Sequence, residues 1–356
     1  MSILGRYLRQ TSLSKFGAVN QVKLSDSQIL IVGLGGLGLP VAQYLNAMGI
    51  GTLGLMDNDT VELHNLQRQV LYAENDIGKL KLDVALQKLQ KQNSNTVFKC
   101  FNTFLTKQNA LEIIKDFDVV VDATDNFSTR YLINDACVLL NIPFVYGALH
   151  AFEGQVSVFN YNNGPTYRCL FPDMPKAHEI PNCDENGVLG VLPGIIGTLQ
   201  ALEVVKVITG VGEVLSGKLL LFDGLTQHTQ KIAFNVNAKN KQITGLQKRY
   251  DFLDCDIHAT ISLEEFIKLH SQNKLQLIDV RNKNEFDGSH IEGAKSIPLT
   301  GLENALDELD FNSPIYIICQ SGIRSKAAFS ILKSAKPESI IYSVSGGMNQ
   351  MSTSCL

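Results

Sequence analysis

QILIVGLGGLGLPVAQYLNAMGIGTLGLMD, residues 28–57, decides the fold. QILIV is a short apolar run, GLGGLG over 33–38 a glycine cluster, LPVAQYLNAMGIG an amphipathic stretch, and TLGLMD a second apolar run. Strand, tight turn, helix and strand make one βαβ unit. Gly33, Gly35 and Gly38 follow the strand and open the helix, where backbone N–H groups and the positive end of the helix dipole face a phosphate. Asp57 and Asp59 close the second strand about 20 residues further on, a position suited to ribose hydroxyls. On these residues alone, a nicotinamide dinucleotide and ATP fit equally well.

Outward from this unit the alternation continues, with apolar runs at 118–122 and 142–145 and helical patterns in LDVALQKLQ and TRYLINDACVLL. The fold class is therefore α/β with a parallel sheet. QVSVFNY and KLLLFDG read as strands added later. The text turns polar and irregular from 235 to 256, then TISLEEFIKLH, LQLIDVR, IYIIC and SKAAFSILKSA restart a strand and helix pattern. We expect a first domain over 1–237, a linker over 238–257 and a small α/β domain over 258–356. The length of 356 residues accommodates both, and 45% hydrophobic against 19% charged residues describes an ordinary globular protein. A net charge of -4 offers no basic field for nucleic acid. No stretch reads as a leader or a membrane span, so the expectation is a cytoplasmic protein with no membrane partner. The cysteines, seven in number and scattered, do not suggest a disulfide framework.

Three further stretches are unlike a hydride-transfer site: HNLQRQ at 64–69, IGKLK at 77–81 and ATDN at 123–126. An arginine fork matches phosphate oxygens, a lysine adds a point charge, and an aspartate beside them can hold Mg2+. GRYLRQ, GLGGLG, DNDTVELHNLQRQ, DIGKLK, ATDN, FEGQVSVFN and GVLGVLPGIIGTLQALEVVK follow one another in the order of a known family. Over residues 1 to about 235 the chain resembles the MoeB/ThiF (HesA) family, relatives of ubiquitin-activating enzymes with a Rossmann-like nucleotide-binding domain.

In that family, ATP and the C-terminal glycine of a ubiquitin-like sulfur carrier ending in Gly-Gly yield an acyl adenylate and pyrophosphate. The resemblance implies that Gly36 lies against the phosphates with the other loop glycines and that Asp57 binds the ribose. It gives Asn65, Arg68 and Lys81 the polyphosphate, Asp125 the magnesium with Asn126 beside it, and Arg9 the neighbouring subunit's site in a homodimer. Asn65 and Asp125 are equally residues that cap helices. His64 reads as structural.

Cys183 lies in EIPNCDENGVLGVLPG, and the matching cysteine of relatives sits on a crossover loop that bonds covalently to the carrier. Cys100, Cys137 and Cys355 read as inert packing. Many relatives hold a structural zinc with two C-x-x-C pairs. Here TYRC puts Thr166 at one position and leaves Cys169 alone, and the later region offers only Cys255 and His258. Structural zinc is not expected.

LIDVRNKNEFDGSHIEGAKSIPL and IYIICQSGIRSKAAFSIL resemble the rhodanese family across 258–356. Cys319 ends a strand and begins a loop that runs through Arg324 into a helix, so several N–H groups converge on the sulfur and favour thiolate. The loop is one residue shorter than that of a protein phosphatase, which suits a persulfide sulfur rather than a phosphate. The resemblance implies that Cys319 accepts sulfane sulfur, from a cysteine desulfurase or another donor, and that Arg324 holds the loop or the donor. Asp279, Arg281 and His290 read as structural. Joined, the two halves imply adenylation of the carrier and then sulfur transfer to form a thiocarboxylate, in molybdopterin, thiamine or tRNA thiolation pathways. The alternatives are adenylation alone with a docking rhodanese module, or a NAD-dependent oxidoreductase.

Overall fold

The computed structural model describes residues 3–175, 187–247, 250, 260–272, 275–336 and 338–350. Cys183, Cys255, His258 and Cys355 lie outside the described residues. The chain divides into two compact units, the first closing at Tyr250.

The first unit is built on an eight-stranded sheet of order β3-β2-β1-β4-β5-β6-β7-β8. The strands are β1 Gln28–Val32, β2 Thr52–Met56, β3 Val97–Phe101, β4 Val119–Asp122, β5 Phe144–His150, β6 Glu153–Phe159, β7 Lys218–Asp223 and β8 Thr229–Ala233. β1 to β5 are parallel, while β6, β7 and β8 add on antiparallel. The central strands β1 and β4 are apolar almost without interruption because both faces are covered; β8 at the edge is exposed throughout. The chain runs from β1 to β2 and β3 on one side and to β4 and β5 on the other, so the order reverses between β1 and β4. A crevice outside the carboxyl ends of those two strands is where such sheets bind ligands.

Helix Val191–Thr209 packs on helix Gly38–Met48 and on β5 and β6. A Cβ at Gly197 would lie 2.4 Å from the Leu37 carbonyl oxygen, so the absence of a side chain there allows the two helices to approach. This helix is long and apolar enough to cross a bilayer, but half of it is buried in the unit. Its Glu203 pairs with Lys206 and accepts the Leu215 N–H at 2.9 Å, which satisfies a buried carboxylate.

The linker expected over 238–257 begins too early. Asn240 Nδ2 donates to the Arg168 carbonyl at 2.8 Å, Leu246 packs on the apolar cluster under the sheet, and Tyr250, 5% exposed, donates its hydroxyl to Asp135 Oδ2 at 2.8 Å. Polar composition disguised a segment held by two apolar anchors.

The second unit has five parallel strands in the order β11-β10-β12-β13-β9. They are β9 Thr260–Ile261, β10 Gln276–Asp279, β11 Lys295–Ser296, β12 Ile315–Ile318 and β13 Ile341–Val344. Successive residues of β12 face opposite sides: Ile315 and Ile317 join Phe329 and Leu332, while Tyr316 and Ile318 join Phe266. Both faces of the sheet are thus covered.

Candidate active sites

In the first unit the glycine loop fills the β1/β4 reversal. Gly33 has φ +96°, and a Cβ there would meet the Ala123 carbonyl oxygen at 2.7 Å, so the loop lies against the ATDN segment after β4. A Cβ at Gly38 would stand 1.9 Å from the Gly33 carbonyl oxygen, which no adjustment short of moving backbone allows. At Gly36 it would meet Pro193 Cβ at 2.9 Å and Arg68 Cγ at 3.5 Å. The glycines therefore form a cradle closed by Pro193 and Arg68. No side chain caps the 11-residue helix that follows, since Leu37 at its start carries no acceptor, and its first N–H groups suit an anion.

Asp57 is fixed against this loop: Leu34 N–H donates to Oδ2 at 2.7 Å and Asp59 N–H to Oδ1 at 2.8 Å. Burial raises its carboxyl above the ordinary value, and those N–H groups and Lys81 oppose the rise. Lys81 is held by Asp59 Oδ2 at 3.0 Å, with its side chain 8% exposed. The Tyr72 hydroxyl lies between the Leu34 carbonyl at 3.0 Å and the Lys81 carbonyl at 3.2 Å and shares its one hydrogen between them, tying the IGKLK segment to the glycine loop. Arg68 is half-buried, with Nη1 on the His64 carbonyl at 3.0 Å. Asn65 Oδ1 accepts the Glu62 N–H at 3.1 Å, and Asn126 Oδ1 accepts the Thr129 N–H at 2.9 Å at the start of helix Phe127–Leu140. Both asparagine oxygens thus act as caps. Asp125 is exposed, in the chain between the end of β4 and Asn126. Arg9 is exposed on the short helix Leu8–Thr11, and among the described residues no hydrogen bond links it to the glycine loop. His64 is an exposed partner of Glu62 at 3.1 Å.

In the second unit Cys319 is fully buried at the end of β12. The Gly322 N–H donates to its sulfur at 3.1 Å, and the Ser325 hydroxyl lies 3.6 Å away while donating to the Gly322 carbonyl at 3.0 Å. The Met348 and Asn349 N–H groups clamp the loop from outside, donating to the Cys319 and Gln320 carbonyls at 2.9 Å each. Gly347 permits that approach, since a Cβ there would meet the Cys319 carbonyl oxygen at 2.3 Å. Arg324 pairs with Glu285 through both nitrogens of its fork. Arg281 is buried on Asp279, and the exposed His290 stacks on Phe286 at 4.0 Å, so both serve the fold around the loop.

The ThiF family matches residues 7–244, two thirds of the chain. The chain belongs to the ThiF family. A rhodanese-like domain matches residues 262–354. Among relatives, the protein named adenylyltransferase and sulfurtransferase MOCS3 of Drosophila sechellia is 38% identical over 373 residues, spanning 97% of this chain and 82% of the relative. The protein of that name from Culex quinquefasciatus is 40% identical, spanning 91% and 81%. Among solved structures, E. coli MccB crystallised with ATP shares the fold at TM-score 0.59 and 24% identity, covering 65% of this chain and 72% of that one. PaaA does so at TM-score 0.56 and 24% identity, covering 65% and 84%.

Within the ThiF domain, sequence reasoning missed the residues that hold the ATDN segment. Asp122, fully buried, accepts from Arg130 Nε at 3.1 Å and from the Thr124 N–H and hydroxyl at 3.0 and 2.6 Å. Gln200 Nε2 donates to the Asp122 carbonyl at 2.7 Å, and the Arg130 guanidinium lies 4.9 Å from the Tyr146 ring centre. The available signal was a charged residue inside the apolar stretch TRYLINDACVLL. Gln69 was missed too: it is 3% exposed, its Oε1 has no partner among the described residues, and its Nε2 would lie 3.6 Å from a Cβ at Gly35. A buried acceptor without a donor beside the glycine cradle fits a ligand that brings hydroxyl or amino groups, as a nucleoside does.

Cys169 of the ThiF domain sits among hydrogen-bond donors. Its sulfur accepts from the Thr166 N–H at 3.4 Å and the Asn237 N–H at 3.3 Å, with Asn240 Nδ2 at 4.0 Å. Those contacts hold its thiol below the ordinary value against the opposing effect of burial. Among the described residues, those facing the Thr166 and Cys169 pair are Asn237 and Asn240. Among the described residues the site offers one thiol among amides and a hydroxyl, where a structural zinc takes four ligands.

Proposed function

We propose that the ThiF domain uses ATP to adenylate the C-terminal carboxylate of a ubiquitin-like sulfur carrier, and that Cys319 of the rhodanese-like domain supplies sulfur to it. The observation that carries the reading is the cradle at the β1/β4 reversal, where phosphate-binding glycines meet Arg68, Lys81 and Asp57. That set suits a polyphosphate with a ribose; hydride transfer requires neither Arg68 nor Lys81. The relatives' name, which joins both activities, supports the pairing with a thiol loop.

Chemically, a carboxylate oxygen of the carrier attacks the α-phosphorus of ATP, and pyrophosphate leaves. Arg68 and Lys81 stabilise the charge that builds on the leaving group, and the glycine N–H groups hold the phosphates in line. Asn65 and Asn126, engaged as caps, fix the backbone next to the polyphosphate. Asp125, an exposed carboxylate at the end of β4, would hold a magnesium ion that neutralises phosphate charge. Persulfide on Cys319 then attacks the carbonyl carbon of the acyl adenylate and AMP leaves, giving an acyl disulfide. A second thiol, for which Cys183 is our candidate, attacks the sulfur on the Cys319 side. A disulfide forms, the thiocarboxylate departs, and a cellular thiol reductant restores both cysteines. The same reading makes the protein a cytoplasmic homodimer in which Arg9 serves the other subunit's site, with a cysteine desulfurase as sulfur donor.

Pyrophosphate release tests the first half. With Mg-ATP, release that depends on a carrier ending in Gly-Gly and is indifferent to NAD is expected. Tight NAD binding without pyrophosphate release would replace the reading with an oxidoreductase.

A further inference from the structure

The Cys319 loop holds its arginine already engaged. Arg324 Nη1 donates to Glu285 Oε2 at 2.7 Å and Nη2 to Oε1 at 2.6 Å, a two-pronged pair of the strong kind. Glu285 lies on helix Lys283–Gly288, and its Oε2 also accepts the Asn282 N–H at 2.9 Å, so its own helix aims the carboxylate. The pair is partly shielded, with 17% of the Arg324 side chain and 31% of Glu285 exposed. Contact with Arg324 holds the Glu285 carboxyl below its ordinary value.

The other arginine near the loop is held as well. Arg281 Nε and Nη2 donate to Asp279, Nη2 also to the Ser289 carbonyl at 2.6 Å, and Nη1 to Gln320 Oε1 at 3.0 Å. Between Cys319 and Arg324, Gln320, Ser321, Gly322 and Ile323 add no charge, and Lys326 is exposed on the helix beyond. Arg281, which bonds the loop at Gln320, and Arg324, which follows it, are thus both already paired with carboxylates.

We propose that Glu285 sets the class of sulfur donor. By occupying Arg324 it withholds the cation that a dianionic donor such as thiosulfate requires, and it leaves the loop to persulfides, which are neutral at the reacting end when protonated. The proposal rests on the reading of Cys319 as the sulfur acceptor. With a persulfide RSSH, the Cys319 thiolate attacks the outer sulfur, the donor S–S bond breaks, RS⁻ leaves, and Cys319 carries –SSH. With thiosulfate the same bond forms, but sulfite leaves as a dianion, and a disengaged arginine is what would stabilise that departing charge.

The test loads the full chain with thiosulfate or with an alkyl hydropersulfide, reading sulfite release and the gain of one sulfur by intact mass. Glu285→Gln keeps an oxygen for the Asn282 N–H and removes the negative charge. Its KM for thiosulfate is expected to fall roughly tenfold while its KM for the hydropersulfide stays within about twofold. Glu285→Asp, which restores the charge, is expected to return the preference toward that of the original protein. An unchanged ratio of the two KM values in Glu285→Gln, or a parallel loss with both donors, overturns the proposal. If the unaltered protein takes sulfur from neither donor, the reading of Cys319 fails and the proposal with it. Loading of the unaltered protein with unaltered selectivity in the variant removes the proposal alone.

Discussion

In the adenylation proposed above, Lys81 is a cation set against the polyphosphate. It reaches the crevice from the start of helix Lys81–Gln92, buried in its stem and steadied by Asp59. A cation so placed acts on charge that develops in the transition state, where a fixed donor is worth far more than in water. Lys81→Ala is therefore expected to lower carrier-dependent pyrophosphate release by about a hundredfold to a thousandfold in kcat. Steady-state kinetics at saturating ATP checks this, and an unchanged kcat would remove Lys81 from the site. At this scale much was legible. Gly33, Gly35, Gly38, Asp57 and Asp59 could be named from their spacing after the strands, and Arg68 and Lys81 as phosphate partners by residue type, whereas Gly36 and the role of each residue came from the family resemblance. The capping duty of Asn65 and Asn126 was not separable from ligand binding, since one amide oxygen serves either purpose and only geometry says which it does.

At the scale of elements, the segment after β4 depends on a buried ion pair. Arg130, from the second turn of helix Phe127–Leu140, reaches back to Asp122 and to the Thr124 carbonyl at 3.0 Å, and so shapes the backbone that carries Asp125. Arg130→Met would leave Asp122 buried without its cation, a loss of about 3–5 kcal/mol. Denaturant unfolding of the first unit is expected to show it; a shift under about 1 kcal/mol would mean that Asp122 finds another partner or takes up a proton. The chain offered only Arg130's charge inside an apolar stretch as a signal; its partners could not be read, because Asp122, Tyr146 and Gln200 come to it through the sheet. The same reason hid Asn237 and Asn240 beside Cys169, across a gap of about seventy residues. The strands and the glycine-to-helix turn were legible because hydrophobic periodicity and turn chemistry are local. The antiparallel strands β6 and β7 appeared in sequence as strands, but their direction was set by partners the local pattern does not reveal.

The whole molecule carries a ThiF domain and a rhodanese-like domain in one chain. A carboxylate is a poor acyl donor to a sulfur nucleophile, whereas its mixed anhydride with AMP offers a good leaving group, so each unit supplies what the other lacks. The measurement that tests this most directly is mass spectrometry of carriers ending in Gly-Gly, one MoaD-like and one ThiS-like. Each is incubated with Mg-ATP, a sulfane donor and either the unaltered protein or Cys319→Ala. The account predicts one sulfur in place of one oxygen on at least one carrier with the unaltered protein, and AMP addition without sulfur with Cys319→Ala. Equal thiocarboxylate from both proteins would contradict it and reduce the second unit to a docking module.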